Sequence, residues 1–527
     1  MSSTHWLPET SKGDNLPNAL CLGTGRFLRS VLVPTLVGAG LRPALIQTRG
    51  RSFLEFMASG GASTSYPVDT VLPSGDIQTD QVACWGAFSL GKSEDKSYVL
   101  DNFLPTLKGI SILGIGVTEA GLTSKDTQVM KDLFLLFQRF QQLITQDKKW
   151  DLNGKKICVV DMDNVPNNGD KVRQYMFELA AEDKDMAAFL EEHVVFMNSM
   201  VDRITSHREG DTMVPKCEPM PAKALVVLDP NGDLPPSIGQ QPGVVVRKSV
   251  DELQLDIALK LRVANGTHTA IAHLLALMKL LKTDVLSSDK PGALMMKYLD
   301  TLVENQIVPS AGSNQDEAAA VYKDWRQRLV HPHFGLSSFF ITQNGPAKGG
   351  IRWGPTVKEL ARQELKLEYS MAFAYAVLLR WLTPVPNTDV DSGICTGWLD
   401  GVDPNQVTID KAKGTEYADG LLYDLENGWY QYKCSIGSGE TKLMALLQKC
   451  ATTKSIDDCT DAVKMYLLAS DGGDLSSVEK SINELTLAVS QLYLSLISGK
   501  SVGVLLEELA NKSNGVGFSD NCGNSVR

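Results

Sequence analysis

The sequence predicts two domains: a doubly wound parallel α/β domain over residues 1–248, then a mainly α-helical domain over residues 249–527. Three observations predict this. First, the apolar run Ala19–Leu22 leads directly into the glycine-containing turn GTGRFLRS. A helical pattern follows at Leu28, Val31, Leu32 and Leu36, then a second apolar run at Pro43–Gln47. Strand, turn, helix and strand within about 30 residues make a βαβ unit. Second, strand-like runs at Ile110–Val117, Lys156–Asp161 and Ala224–Leu228 alternate with helical stretches at Thr127–Leu143 and Lys171–Phe189. That alternation implies parallel strands joined by helices, the Rossmann-type arrangement. Third, the pattern changes near residue 250. Asp251–Leu281 is strongly helical, and further helices are predicted at Asp316–Leu329, Thr356–Leu382, Glu440–Lys449, Val478–Ile497 and Val502–Ala510. Residues 385–436, rich in Gly, Asp, Thr and Asn, read as an irregular insertion.

Composition narrows the function. Of 527 residues, 43% are hydrophobic and 21% charged, which excludes a disordered or collagen-like chain. The net charge is −11, from 51 Lys and Arg against 62 Asp and Glu, and no long basic run occurs. Such a chain is not built for nucleic acid or an anionic membrane, so the expected partner is a small molecule. Nine scattered cysteines without a CxxC pair read as reduced thiols, with neither a disulfide frame nor a metal site. The start, MSSTHWLPETSKGDN, carries neither the basic nor the apolar part of a signal peptide, and the expected location is cytoplasmic. A monomer or small homo-oligomer fits equally well.

Two segments suggest chemistry. In GTGRFL, Gly23 and Gly25 match the first two glycines of a dinucleotide turn, with Leu28 in the third place. The first glycine makes the tight turn and the second lets the backbone approach a pyrophosphate. The same letters fit a plain strand–helix turn, but their place after the first strand favours the dinucleotide. The second strand ends in Gln47 rather than a carboxylate. Gln47 suits the ribose of NAD, whereas Arg49 or Arg51 would suit the 2′-phosphate of NADP.

The second segment is ALKLRVANGTHTAIAHLLALMKLL, residues 258–281. On an ideal α-helix Lys260, Asn265 and His268 fall within an arc of roughly 140°. Their surroundings are almost wholly apolar, and a lysine is rarely buried unless paired or functional. A desolvated lysine has a lowered pKa and serves as a base near neutral pH, and an asparagine amide can donate to a developing alkoxide. The bland alternative is a lysine that snorkels or pairs with Asp256, beside polar groups that satisfy the backbone.

KLRVANGTH resembles the Lys-x4-Asn-x2-His signature of the polyol-specific long-chain dehydrogenases, a family that includes mannitol dehydrogenase, mannonate oxidoreductase and tagaturonate reductase. Four further segments are similar to family motifs and stand in family order: GTGRFLR with Gly23, Gly25, Phe27 and Arg29; VTEAGL at 117–122; DNVPNNG at 163–169; and FMNSMVDRIT at 196–205. The resemblance implies an NAD-dependent oxidoreductase without a metal, with NADP also open. Lys260 would be the general acid/base, Asn164 and Asn265 would hold the nascent alkoxide, and His268 would orient the substrate or Lys260. Gly23, Gly25, Phe27, Arg29 and Gln47 would bind the cofactor, and Asp202 the substrate. A later stretch, ITQNGPAKGGIRWGPT, is similar to the tagaturonate reductase (altronate oxidoreductase) branch through Asn344, Lys348, Arg352 and Pro355. Lys348 and Arg352 would then bind a sugar acid such as altronate or tagaturonate. Asp163-Asn164 and Asn198-Ser-Met look like the mannitol and mannonate branch, so a neutral hexitol or another aldonate is the alternative. Two rivals remain: a β-hydroxyacid dehydrogenase, and a non-catalytic nucleotide-binding homologue.

Overall fold

The structure is a computed structural model that describes residues 4–9, 11–60, 64–116, 121–163, 165–278, 280, 282–342, 345–386, 422–425, 429–432 and 441–512. The chain divides into two compact units, residues 1–257 and 258–527.

The strands of the first unit are β1 (Ala19–Leu22), β2 (Pro43–Gln47), β3 (Ser65–Val71), β4 (Ile77–Ala83), β5 (Ala87–Ser89), β6 (Ile112–Ile115), β7 (Ile157–Asp161), β8 (Val194–Met197), β9 (Ser199–Val201), β10 (Thr205–Arg208), β11 (Asp211–Cys217), β12 (Leu225–Leu228) and β13 (Val244–Arg247). Six form one parallel sheet in the order β5-β2-β1-β6-β7-β8. The order reverses between β1 and β6, the switch point at which doubly wound sheets bind ligands. Leu22 pairs with Ile46 on one side and Ile115 on the other, so three strands end level at the glycine turn. Every residue of β1, β2, β6 and β7 is buried, because both faces of the sheet are covered. One face packs Leu113, Ile157 and Val159 against Leu133, Phe137, Val172 and Phe189 of the crossover helices. The other packs Cys21, Ile112 and Val160 against Leu28, Leu32, Phe53 and residues of the smaller sheets.

The parallel sheet and four of the five predicted strands, β1, β2, β6 and β7, are as the sequence implied, whereas the fifth, Ala224–Leu228, forms β12 of a separate small sheet. The smaller sheets, β10-β11-β3-β4 and β13-β12-β9, were not anticipated apart from β12. In β4 the residues Ile77–Gln81 are exposed, so no apolar alternation announces the strand. The single helix expected at Lys171–Phe189 is two helices, Asn168–Leu179 and Lys184–His193. Asp183 starts the second by accepting the Met186 N–H at 2.9 Å.

The second unit is mainly helical. Helix Val250–Leu259, most of which belongs to the first unit, runs into a π-helical turn, Lys260–Asn265, and on into helix Gly266–Leu277, which is buried at every residue but His268. The helix expected at Thr356–Leu382 breaks into Gly354–Arg362 and Tyr369–Leu382, with Glu364 left-handed (φ 55°) between them. Helix Tyr369–Leu382 is buried from Ser370 onward and packs on Asn483–Ile497. Most of residues 385–436 lie outside the described residues. Within that stretch three short strands, Val385–Pro386, Leu422–Leu425 and Trp429–Tyr432, pair antiparallel. Among the described residues no helix is long and apolar enough to cross a membrane.

Asp256 anchors the helix that leads to Lys260. Its buried carboxylate accepts Lys223 Nζ at 2.6 Å and Arg247 Nε at 2.7 Å. Burial alone would raise this carboxyl, but the hydrogen bonds from Arg247 and Lys223 outweigh it and hold it below the usual aspartate value. A depressed pKa contributes stability that is complete above the unfolded value and is lost as pH falls through the folded one. Asp256→Asn should cost on the order of 2 kcal/mol at about pH 7, moderated because both cations are partly exposed. In urea titrations the gap between wild type and variant should close at about pH 2. A gap that is the same at both pH values would show that the ion pairs do not carry the effect.

Candidate functional site

In the first unit the glycine turn follows β1. Gly23 is left-handed (φ 98°) and donates its N–H to Ile46 O at 2.8 Å. A side chain there would be strained, so the position favours glycine. Gly25 donates to Gly116 O at 3.3 Å, and a Cβ on Gly25 would lie 2.9 Å from that oxygen. The backbones after β1 and β6 therefore approach each other closely at the switch point. Phe27 packs half-buried on the core beneath the turn.

Arg29 and Gln47 point inward. The Arg29 guanidinium is buried, donates to Thr24 O at 2.8 Å and to Met213 O, and lies 5.5 Å from the Phe53 ring centre. It ties the turn to β11 instead of reaching out to a cofactor. Gln47 is also buried, and its Oε1 accepts the N–H groups of Phe53 and Leu54 at 2.9 and 3.1 Å. These are donors of the first turn of helix Ser52–Ser59, so the amide caps that helix rather than facing a ribose. Arg51 is buried against Asp95 at 2.7 Å, which leaves Arg49 as the exposed cation of the pair. Arg26, which the sequence did not single out, is half-buried in the turn and donates to Thr205 O at 3.3 Å.

The motif stretches at 163–169 and 196–205 interlock. Asn168 donates to Asp163 O at 3.1 Å and Ser199 Oγ at 3.0 Å, and accepts the Ser199 N–H at 2.9 Å. Ser199 Oγ donates to Asp161 O at 2.5 Å, and Asn198 bonds both the backbone N–H and the carboxylate of Asp170. A Cβ on Gly169 would lie 2.4 Å from Met197 O, so the helix can start only on a glycine there. These residues lock the ends of β7, β8 and β9 together. Arg203 extends the lock by donating to Ser30 O and to Glu218 O. Asp202 is half-buried after β9, with its N–H on Ala224 O at 2.9 Å. Asn164 and residues 117–120 lie outside the described residues, as does Asn344.

In the second unit Lys260 opens the π-turn and Asn265 closes it. In a π-turn residues five apart are hydrogen-bonded and stand one above the other, as residues four apart do in an α-helix. The wide arc expected for an ideal helix therefore narrows, and Lys260 and Asn265 share one line. His268 follows on the same side, half-buried, with its ring edge-to-face with Trp325 at 5.5 Å. Trp325 is itself fixed by an indole N–H bond to Thr267 Oγ1 at 2.9 Å.

Arg352 joins this row. It is half-buried at the end of helix Gly345–Arg352 and donates to Asn265 O at 3.3 Å and to Thr269 Oγ1. Burial pushes its pKa down to about 10, and no carboxylate contacts it among the described residues. Lys348, one turn earlier, donates to Ile341 O. Behind them His273 is fully buried with its Nδ1 on Thr269 O at 2.8 Å. Burial, then Lys348 and Arg352, pushes its pKa down to about 3, so the ring is neutral. The structure thus brings Asn265 and Arg352, 87 residues apart in the chain, into contact.

Comparison with known proteins agrees with this architecture. Residues 17–223 match the family model described as the mannitol dehydrogenase Rossmann domain. Mannitol dehydrogenase DSF1 and mannitol dehydrogenase 2 of Saccharomyces cerevisiae are each 32% identical to this chain over 167 residues. That stretch is 29% of this chain and 31% of each yeast protein. A solved substrate-free D-sorbitol dehydrogenase superposes with a TM-score of 0.65 at 17% identity, covering 93% of this chain and 95% of that one. Mannitol 2-dehydrogenase of Pseudomonas fluorescens, solved with NAD and D-mannitol, gives 0.60 at 17% identity, covering 94% of each chain. The structural likeness shows the shared fold, and the motif order and the family match agree over the first unit. Residues 17–223 are thus similar to the mannitol dehydrogenase Rossmann domain, and the chain shares its overall fold with the sorbitol and mannitol dehydrogenases.

Proposed function

We infer that the protein is an NAD-dependent oxidoreductase that interconverts a linear sugar acid and its keto form, with Lys260 as the general acid/base. The observation that carries this is the π-turn, which sets Lys260 and Asn265 in one line beside a cation with no carboxylate partner among the described residues.

The glycine turn fits a dinucleotide. At Gly25 a Cβ would fill the close approach to Gly116, and Gly23 supplies the bend. Gly23, Gly25 and Phe27 would hold the cofactor, with Arg26 as the nearest side-chain cation on the turn. NAD supplies a hydride acceptor when bound. Arg29 and Gln47 act by holding the turn and helix Ser52–Ser59 in place. Because Arg51 is neutralised by Asp95, one of the two cations that would favour a 2′-phosphate is removed, which supports NAD over NADP.

Lys260 takes the hydroxyl proton during oxidation and returns it during reduction. Asn265, together with Asn164 in the family pattern, holds the oxygen as charge develops on it. His268, steadied by Trp325, orients the substrate or Lys260. Arg352 offers the planar fork that a carboxylate fits, and Lys348 adds a point charge. Asp202 is assigned to the substrate by resemblance. A neutral hexitol is the second reading, favoured by the mannitol dehydrogenase family match.

Two measurements test this. Gln47→Leu removes the acceptor of two helix N–H groups and should cost about 1–3 kcal/mol of stability while changing NADH affinity less than a few-fold. A large loss of NADH affinity without a loss of stability would return Gln47 to the ribose. Steady-state NADH oxidation should be faster with keto-uronates than with the matching ketohexoses. Arg352→Ala should narrow that preference by on the order of 2 kcal/mol, mostly through KM. A wild-type preference for the neutral ketose would move the protein to the hexitol branch.

A further inference from the structure

A cleft lies in the helical unit on another face of the lysine turn. It encloses about 350 Å³, within the usual size of a small-molecule site. Arg262 enters it from the π-turn, and residues two apart on a helix do not face the same way, so Arg262 is turned from the row of Lys260. Lys358 and Arg362 enter from helix Gly354–Arg362, with the acids Glu359 and Asp474 beside them.

The floor is close-packed backbone. A Cβ on Gly350 would lie 2.3 Å from Ser470 O, and one on Gly354 would lie 2.7 Å from Gly473 Cα. Side chains at these positions would push the walls apart, so the cleft has a rigid base.

The donors of the lining cations are suited to an anion. Arg262 has five N–H donors, and the bond it makes is a long one, 3.4 Å to Ser310 O. Burial lowers its pKa, with Glu359 the nearby charge that opposes the shift. Lys358 has three donors and meets no partner among the described residues. The acids are already engaged. Glu359 accepts Gln363 Nε2 at 3.0 Å and lies 3.7 Å from Arg362, and Asp474 accepts Ser476 Oγ at 2.7 Å. Two cations with donors to spare therefore line a cavity in a chain of net charge −11. A guanidinium fork beside an ammonium is suited to a phosphate.

We propose that this cleft binds a small phosphorylated metabolite, with its phosphate held between Arg262 and Lys358, and that the bound anion ties the lysine turn to helix Gly354–Arg362. The site is separate from the one assigned to the sugar acid and does not depend on that reading.

Isothermal titration of the full-length protein tests it, with inorganic phosphate and glucose 6-phosphate as probes and glucose as the neutral control. Both anions should bind and glucose should not. Lys358→Gln should weaken binding about tenfold or more, as expected for one lost charge-assisted contact, and Lys358→Arg should restore it. Arg352→Ala should leave it unchanged. The proposal is overturned by no phosphate binding at about 10 mM, an affinity weaker than about 2.7 kcal/mol. It is also overturned by full affinity in Lys358→Gln, or by loss of binding in Arg352→Ala, which would place the anion at the sugar-acid site.

Discussion

The candidate site depends on one departure from α-helical geometry. A π-turn replaces part of the regular ladder with i→i+5 bonds and persists only where surrounding packing holds it. Here it spans Lys260–Asn265, between helices Val250–Leu259 and Gly266–Leu277. The packing is visible on the C-terminal side. Trp353 donates to Gly266 O at 3.0 Å, Trp325 to Thr267, and Arg352 to Asn265 O and Thr269. The Trp353 indole and the Arg352 guanidinium thus grip the backbone where the turn ends, and the Trp325 indole holds the Thr267 hydroxyl beside it. Lys260 and Asn265 are five apart, the one spacing that a π-turn aligns and an α-helix does not.

The first unit follows a related logic with different parts. Buried polar groups hold the sheet's C-terminal edge, and each is spent on backbone. Arg29 grips Thr24 O and Met213 O, Gln47 caps Ser52–Ser59, Asn168 and Ser199 join β7 to β9, and Arg203 grips Ser30 O and Glu218 O. Several residues that resemble family signatures therefore build the edge on which a dinucleotide turn can sit. A buried polar group left unpaired would cost more than its hydrogen bond contributes, which is why these positions tolerate little change.

Much of the fold was legible in the sequence. β1 and β2 were predicted to the residue, because both are apolar runs bounded by Gly, Pro or polar residues. The hairpin β3–β4 was not legible, since the outer strand is exposed and polar along most of its length. Helix breaks at Ala180–Asp183 and near Glu364 were missed because apolar periodicity continues across them. At the site, the types and order of Lys260, Asn265 and His268 were legible and their alignment was not. An α-helix has 3.6 residues per turn, and nothing local in KLRVAN signals a π-turn. Whether a polar side chain faces inward or outward was equally hidden, as Gln47, Arg29 and Arg51 show. Their buried partners, Phe53 N–H, Met213 O and Asp95, are brought to them by the tertiary fold.

The central claim is that Lys260 carries the proton in a dehydrogenase site. Replacing it with methionine keeps most of the volume and removes the base. The direct measurement is single-turnover NADH oxidation by Lys260→Met with the preferred keto substrate, alongside fluorescence titration of NADH. The account predicts a fall in the chemical rate on the order of 10² to 10⁴, with NADH affinity within a few-fold of wild type. A rate within a few-fold of wild type would contradict it and leave Lys260 as a structural residue.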